Sequence, residues 1–218
     1  MRSRTQRSLK AGNMTWLASL ALLDIAMLLV FAFPSVIGAT SLTLLMGMRA
    51  ALMMVLPIAV LLLSGLVPHN VKAMLVYWKL KNVLPGHEAF TRYGPADPRV
   101  DMAALRKNVG ALPSEPAGQN AFWYKLYRRV ESETPVAGAH KMYLLWRDAA
   151  ALSLPLVIAL PLLLRWNGAS TNAAWIAGAI FAVQYFLTAI AARHSGTRFV
   201  CNVLAIHSTK RITTPPKA

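Results

Sequence analysis

Two long stretches of the chain contain almost no charge. Only Asp24 and Arg49 interrupt the range 11–71, and only Arg165 interrupts the range 149–192. An apolar run of about 20 residues crosses the ~30 Å hydrocarbon core of a bilayer as a helix. The sequence therefore predicts an integral membrane protein.

The net charge of +15 lies entirely in the polar segments. Residues 1–13 carry +4, residues 69–147 carry +6 and residues 193–218 carry +5, whereas residues 14–68 and 148–192 each sum to zero. These boundaries predict a basic cytosolic head, a first transmembrane hairpin, a basic aromatic-rich cytosolic domain, a second hairpin and a basic cytosolic tail.

Four spans follow from this division, two in each hairpin. We expect them at Met14–Phe33, Ala50–Val67, Asp148–Leu164 and Ala173–Ala192. Basic segments stay on the cytoplasmic side of a membrane. Both termini and the middle domain are therefore predicted to be cytoplasmic, with the chain in the cell inner membrane.

The middle segment predicts a small, mainly helical domain. Helices are expected at Val71–Val83, at Asp101–Asn108 with Asp101 as N-cap, and at Gln119–Val130 with Asn120 as N-cap. In the tail, Arg198–His207 is compatible with a strand or with a helix packed on the middle segment. The predicted fold class is an all-α membrane protein with a short tail that is either β or helical.

Asp24 is the first candidate for a functional residue, because it lies about ten residues into the first span. A carboxyl group near the bilayer centre costs about 2.5–3.5 kcal/mol and should face protein or water. We predict that Asp24 lines a pore together with Gln184. The alternative is a structural hydrogen bond from Asp24 to Gln184 or to a hydroxyl group of a neighbouring helix.

The middle segment also mixes aromatic and basic residues, most densely in Phe122–Arg129. Aromatic faces stack bases and cations hold phosphates, so this composition suits a nucleotide or short nucleic acid. The alternatives are a domain core, an aromatic belt at the membrane interface and binding of anionic lipid headgroups. The predicted ligand-binding residues are Arg92, Arg106, Lys107, Trp123, Lys125, Tyr127, Arg128 and Arg129.

No pattern of residues predicts catalysis. His87, Glu88, Asp97, Asp101 and His140 are the candidate acid and base catalysts of the aqueous part, and they match no metal-binding, nucleophile or phosphate-loop motif. A single cysteine excludes a disulfide framework and a CxxC pair. We expect no cofactor, no metal and no enzymatic activity.

These observations favour a homo-oligomeric membrane effector or channel. Its cytosolic domain would sense an anionic ligand and control membrane permeability, as in a prokaryotic defence or signalling system. One alternative is an accessory membrane anchor or scaffold that docks a cytosolic protein. A second alternative is a membrane enzyme that acts on lipid.

Overall fold

A computed structural model describes residues 13, 15–23, 26, 66–166 and 168–210. Asp24 and most of the first predicted hairpin lie outside these residues. The four-span arrangement therefore stays a prediction.

All regular secondary structure in the described residues is helical. Residues 15–23 are helical. The later helices are α1 His69–Tyr77, α2 Gly94–Ala96, α3 Met102–Val109, α4 Pro116–Val130, α5 Thr134–Trp166 and α6 Thr171–Thr209, with a 3-10 turn at Pro85–Glu88 and a π-helical turn at Ala89–Tyr93. By length and composition, α5 and α6 can each cross a membrane.

The described residues form two compact units. The first unit lies within Met1–Lys72 and Leu145–Ile190, and the second lies within Ala73–Leu144 and Ala191–Ala218. The first contains the apolar parts of α5 and α6. The second contains α2, α3, α4 and most of α1.

In the first unit, a tight turn at Gly168 joins α5 to α6. Gly168 has a left-handed φ of 78°. The Ala169 N–H donates to the Leu164 carbonyl at 3.0 Å, and the Gly168 N–H donates to the Arg165 carbonyl at 3.1 Å. This pattern satisfies carbonyls at the end of α5 and favours glycine at the left-handed position. The turn predicted after the third span is confirmed.

Small residues let α5 and α6 approach closely. Ala177 is buried beside Leu160 and Phe181. A Cβ added at Gly178 would lie 3.0 Å from Cγ of Pro161. Close backbone approach is the usual basis of helix packing in membranes. Gly178 therefore accommodates the proline ring within α5.

The helical stretch at residues 15–23 also belongs to the first unit. Leu17 is buried against Leu145 and Ala149, with Leu20 and Leu152 packed beside them. Apolar contacts at helical spacing hold this stretch against α5. Helical structure at the start of the first predicted span is confirmed.

The second unit has one aromatic and aliphatic core. Phe199 of α6 lies at its centre, with the Trp123 and Tyr127 rings each 5.1 Å away in edge-to-face geometry. The His140 ring stacks on Phe199 at 4.5 Å. Tyr127 and His140 are also joined by a hydrogen bond of 3.1 Å between the phenol oxygen and Nδ1. Edge-to-face aromatic pairs add to the stabilisation from buried area.

One of the two predicted helix caps is confirmed and the other is wrong. Asp101 Oδ1 accepts hydrogen bonds from the Ala103 and Ala104 N–H groups, and α3 begins at Met102 as predicted. The next helix begins at Pro116 rather than at Gln119. Its N-cap is Glu115 rather than Asn120, because Glu115 accepts from the N–H groups of residues 117 and 118. Proline is favoured in the first turn, where its missing N–H costs nothing.

The helix predicted over Val71–Val83 ends earlier, at Tyr77. Trp78 then adopts a left-handed φ of 52°. The Arg193 Nε atom donates to the Val76 carbonyl. This carbonyl lies in the last turn of α1, where carbonyl groups have no N–H donor within the helix. The end of α1 is therefore stabilised by a residue more than a hundred positions away, which local sequence cannot indicate.

The tail is helical, so the β alternative for Arg198–His207 is wrong. These residues continue α6 without a break. Phe199, Val200, Val203 and Leu204 are all buried in the core, and their spacing is that of one helix face. A Cβ added at Gly196 would overlap the Tyr77 hydroxyl oxygen and lie 3.2 Å from the Tyr143 ring. Glycine at this position lets both tyrosine side chains pack against α6.

Candidate functional site

The first unit contains a buried ionic cluster. Asp148 Oδ1 accepts from Lys72 Nζ at 3.1 Å, and from Arg147 Nε and Nη2 at 3.0 and 2.7 Å. Arg147 Nη1 donates at 2.7 Å to Nδ1 of His69. The side chains of Lys72, Arg147 and Asp148 are all at least 95% buried. Charges removed from water in this way need good geometry and added hydrogen bonds, and this cluster has both.

The cluster shows the structural role of Asp148, the first residue of the third predicted span. Because α5 begins at Thr134, Asp148 lies within the helix and does not cap it. Pairing with basic residues is the role observed. The local sequence Arg147–Asp148 indicates one of its partners, whereas Lys72 comes from α1 and is not apparent from spacing.

Of the two predicted pore residues, Asp24 lies outside the described residues. Gln184 lies in the first unit, where its Nε2 donates to Oγ of Ser153 at 2.9 Å. Ser153 Oγ donates in turn to the Ala149 carbonyl at 2.9 Å. Such bonds between membrane helices are worth about 0.6 kcal/mol. The Gln184 amide therefore has a structural bond, and its pore role stays a prediction.

The aromatic-basic segment of the second unit is divided by helical geometry. Trp123 and Tyr127, both predicted to bind ligand, are only 6% and 4% exposed and belong to the core. Residues three and four apart share one face of a helix. Leu126 and Val130 complete the buried face at that spacing. These two aromatic residues therefore fit the alternative of a domain core.

The opposite side of α4 is exposed and basic. It comprises Tyr124, Lys125, Arg128 and Arg129, which we call the outer face of α4. Tyr124 is 48% exposed, and its ring lies 5.8 Å from that of Tyr127. Arg128 Nη1 donates to Glu131 Oε2 at 2.7 Å. Within the described part of the chain, Lys125 and Arg129 form no ion pair.

Tyr124 was not among the residues predicted to bind ligand. A helical projection of Gln119–Val130 would have identified it, because it lies on the side away from Trp123 and Tyr127. The outer face therefore combines one aromatic ring with three cations.

The remaining predicted ligand residues lie on other elements of the second unit. Arg106 and Lys107 are exposed in the last turn of α3, where cations interact favourably with the helix dipole. Arg92 Nη1 donates to Glu88 Oε2 at 2.9 Å. Lys79 also donates to Glu88. Arg92 therefore belongs to an ion-pair network.

The acidic groups of the second unit are held as structural carboxylates. Arg99 donates from Nε and Nη2 to the two carboxylate oxygens of Asp97, at 3.0 and 2.7 Å. These bonds lower the pKa of Asp97 to about 2. Burial alone would raise the pKa of Glu88, but the bonds from Lys79 and Arg92 outweigh it and lower that pKa.

Neither carboxyl group suits general acid catalysis near neutral pH, which needs a pKa close to the working pH. Among the described residues, no group of three His, Cys, Asp or Glu side chains could hold a metal ion.

No protein-family model, curated protein or solved structure matches this chain.

Proposed function

We propose that the chain is a multi-pass inner-membrane effector whose basic cytosolic domain binds an anionic, phosphate-bearing ligand and thereby controls membrane permeability. The ligand would be a nucleotide or a short nucleic acid. Copies would assemble as a homo-oligomer around a pore lined in part by Asp24, with both termini in the cytoplasm. A prokaryotic defence or signalling system would use such a protein.

The outer face of α4 is the observation that carries this proposal. Tyr124 offers an exposed aromatic ring, and Lys125 and Arg129 place cations on the same side of the helix. The opposite side of α4 is fixed in the aromatic core around Phe199. A rigid base lowers the entropy lost on binding, because little has to be ordered when the ligand arrives.

The membrane part of the proposal is supported by α5 and α6. Both are long and apolar enough to cross a bilayer. The concentration of positive charge in residues 1–13, 69–147 and 193–218 supports a cytoplasmic location for all three segments.

Binding to the outer face can be tested on the full-length protein in detergent, with fluorescein-labelled oligothymidylate and a fluorescent ATP analogue as probes. Tyr124→Ala should weaken binding by about 1–3 kcal/mol, the usual contribution of one stacked base, whereas Tyr124→Phe should retain it. The double variant Lys125→Ala, Arg129→Ala should make oligonucleotide binding less dependent on salt. The slope of log K against the logarithm of the salt concentration should become less negative by about 0.7 for each phosphate that the protein no longer neutralises.

Arg198→Ala serves as the matched control, because Arg198 is an exposed cation on α6 of the same unit. It should bind both probes as the parent protein does. The proposal is wrong about this surface if the parent binds neither probe, or if the Tyr124 and Lys125/Arg129 variants retain the parent's affinity and salt dependence.

The same surface favours one second candidate, an accessory anchor that docks an acidic cytosolic protein. Tyrosine and arginine are enriched at protein interfaces. The exposed Tyr124 between cations suits that role as well. The anchor would be favoured if the parent protein binds neither probe but binds a cellular protein, and if replacing Tyr124 abolishes that binding.

A further inference from the structure

The loop that follows α1 has an unusual backbone. Trp78 and Asn82 adopt left-handed φ angles of 52° and 51°. A bulky residue in this region costs about 1–3 kcal/mol and persists only where its surroundings hold it there. Residues 78–82 are therefore held in this shape by contacts outside the loop.

Arg193 supplies one such contact. Its guanidinium carbon lies 3.6 Å from the centre of the Trp78 ring, which is a close cation–π geometry. Its Nε atom donates to the Val76 carbonyl. Arg193 thus holds both the end of α1 and the indole ring that follows it.

The position of Arg193 along α6 locates this contact relative to the bilayer. Arg193 directly follows the apolar run Ala173–Ala192, whose 20 residues match the thickness of the hydrocarbon core. A cation at the end of such a run lies at the membrane boundary. If α6 spans the bilayer over this run, Trp78, stacked on Arg193, lies at the same level.

The rest of the loop exposes an apolar side chain between cations. Leu80 is 84% exposed, and Trp78 is 51% exposed. Lys79 pairs with Glu88. Lys81 is exposed and forms no ion pair with any described residue. Aromatic and aliphatic side chains next to lysine are typical of segments that lie in the headgroup region.

We propose that residues 78–82 form a membrane-interface loop in which Trp78 and Leu80 insert among lipid headgroups and Lys81 binds their phosphates. The lipid surface is the occupant that fits, because the loop combines exposed apolar area with positive charge beside the end of a membrane-spanning run. This inference shares no residue with the outer face of α4 and does not depend on a soluble ligand.

A label at residue 80 tests the proposal. Leu80→Cys is made in a Cys201→Ala background, since Cys201 is the only cysteine and is buried. The protein is labelled with NBD and reconstituted in vesicles of phosphatidylcholine and phosphatidylglycerol that contain doxyl-labelled lipid. Ser132→Cys is the matched control, because Ser132 is exposed and precedes α5. Ser132 is far from the predicted third span, because α5 rises about 21 Å between Thr134 and Asp148 at 1.5 Å per residue.

NBD at residue 80 should emit at shorter wavelength and be quenched by the doxyl lipid several times more strongly than NBD at residue 132. Adding Lys81→Gln should reduce the quenching in vesicles rich in phosphatidylglycerol. The same label at Lys81→Cys gives a second reading if the Leu80→Cys protein does not fold. The proposal would be overturned if NBD at residue 80 shows the emission of a water-exposed probe and is quenched no more than NBD at residue 132. That result would be expected if the loop docks a protein instead of lipid.

Discussion

Lys72 and Asp148 are 76 residues apart in sequence, yet Nζ and Oδ1 lie 3.1 Å apart in a buried ion pair. Arg147 donates to the same carboxylate oxygen, so one acid balances two cations in this cluster. Removing the shared partner of a buried ion pair is much more costly than removing one of several partners.

Asp148→Asn should therefore lower the free energy of unfolding by about 3 kcal/mol, whereas Lys72→Met should lower it by less, because it leaves Arg147 and Asp148 paired. Unfolding of the full-length protein in detergent, followed by circular dichroism, measures both changes. Equal losses in the two variants, or no loss for Asp148→Asn, would contradict a shared role for the carboxylate.

Asp24→Asn tests the pore role. Asparagine keeps the size and hydrogen bonding of aspartate but removes the ionisable group. We expect the variant to insert and assemble normally and to conduct fewer cations in a liposome flux assay. Asp24→Leu should reduce the flux at least as much. Parent-like flux from Asp24→Asn, in an assay that detects the parent's activity, would exclude a pore-lining charge and favour the anchor function.

Asp97 predicts a pH dependence of stability. The bonds from Arg99 lower its pKa from 3.8 to about 2, so the ionised form is favoured by folding. A lowered native pKa stabilises the protein above the unfolded value, and the gain is lost as the pH falls through the native value. Asp97→Asn should therefore be less stable than the parent near neutral pH, and the difference should shrink between about pH 4 and pH 2.

Thermal unfolding at several pH values measures this difference. Arg99→Gln is the matched variant, because it removes the donor instead of the acceptor and should show the same trend. A difference between parent and Asp97→Asn that does not change across this range would exclude the carboxylate as its source.

Sequence patterns predicted several features of this fold that depend on neighbouring residues, although they missed the Glu115 cap of α4. Asp101 caps α3 through N–H groups two and three residues ahead. The break predicted between the third and fourth spans contains Gly168, which adopts the left-handed conformation needed there. The segregation of charge likewise predicted the two apolar helices that can cross a membrane.

Features that depend on distant contacts were not predictable in the same way. Arg193 hydrogen-bonds to the end of α1, and the partners of Asp148 include Lys72 from another helix. The candidate ligand surface was predicted only in part. In the sequence, aromatic and basic residues alternate, but the helix turns Trp123 and Tyr127 inward and leaves Tyr124 outside.

The fit of Tyr77 against Gly196 has a genetic consequence. Every missense change in a glycine codon adds at least one carbon atom beyond Cα. At codon 196 that atom would overlap the Tyr77 hydroxyl oxygen, whereas at codon 138 nothing lies within 4 Å of it. A missense change at codon 196 should therefore be tolerated only where the Tyr77 side chain can shift, while codon 138 can accept missense change without any such shift.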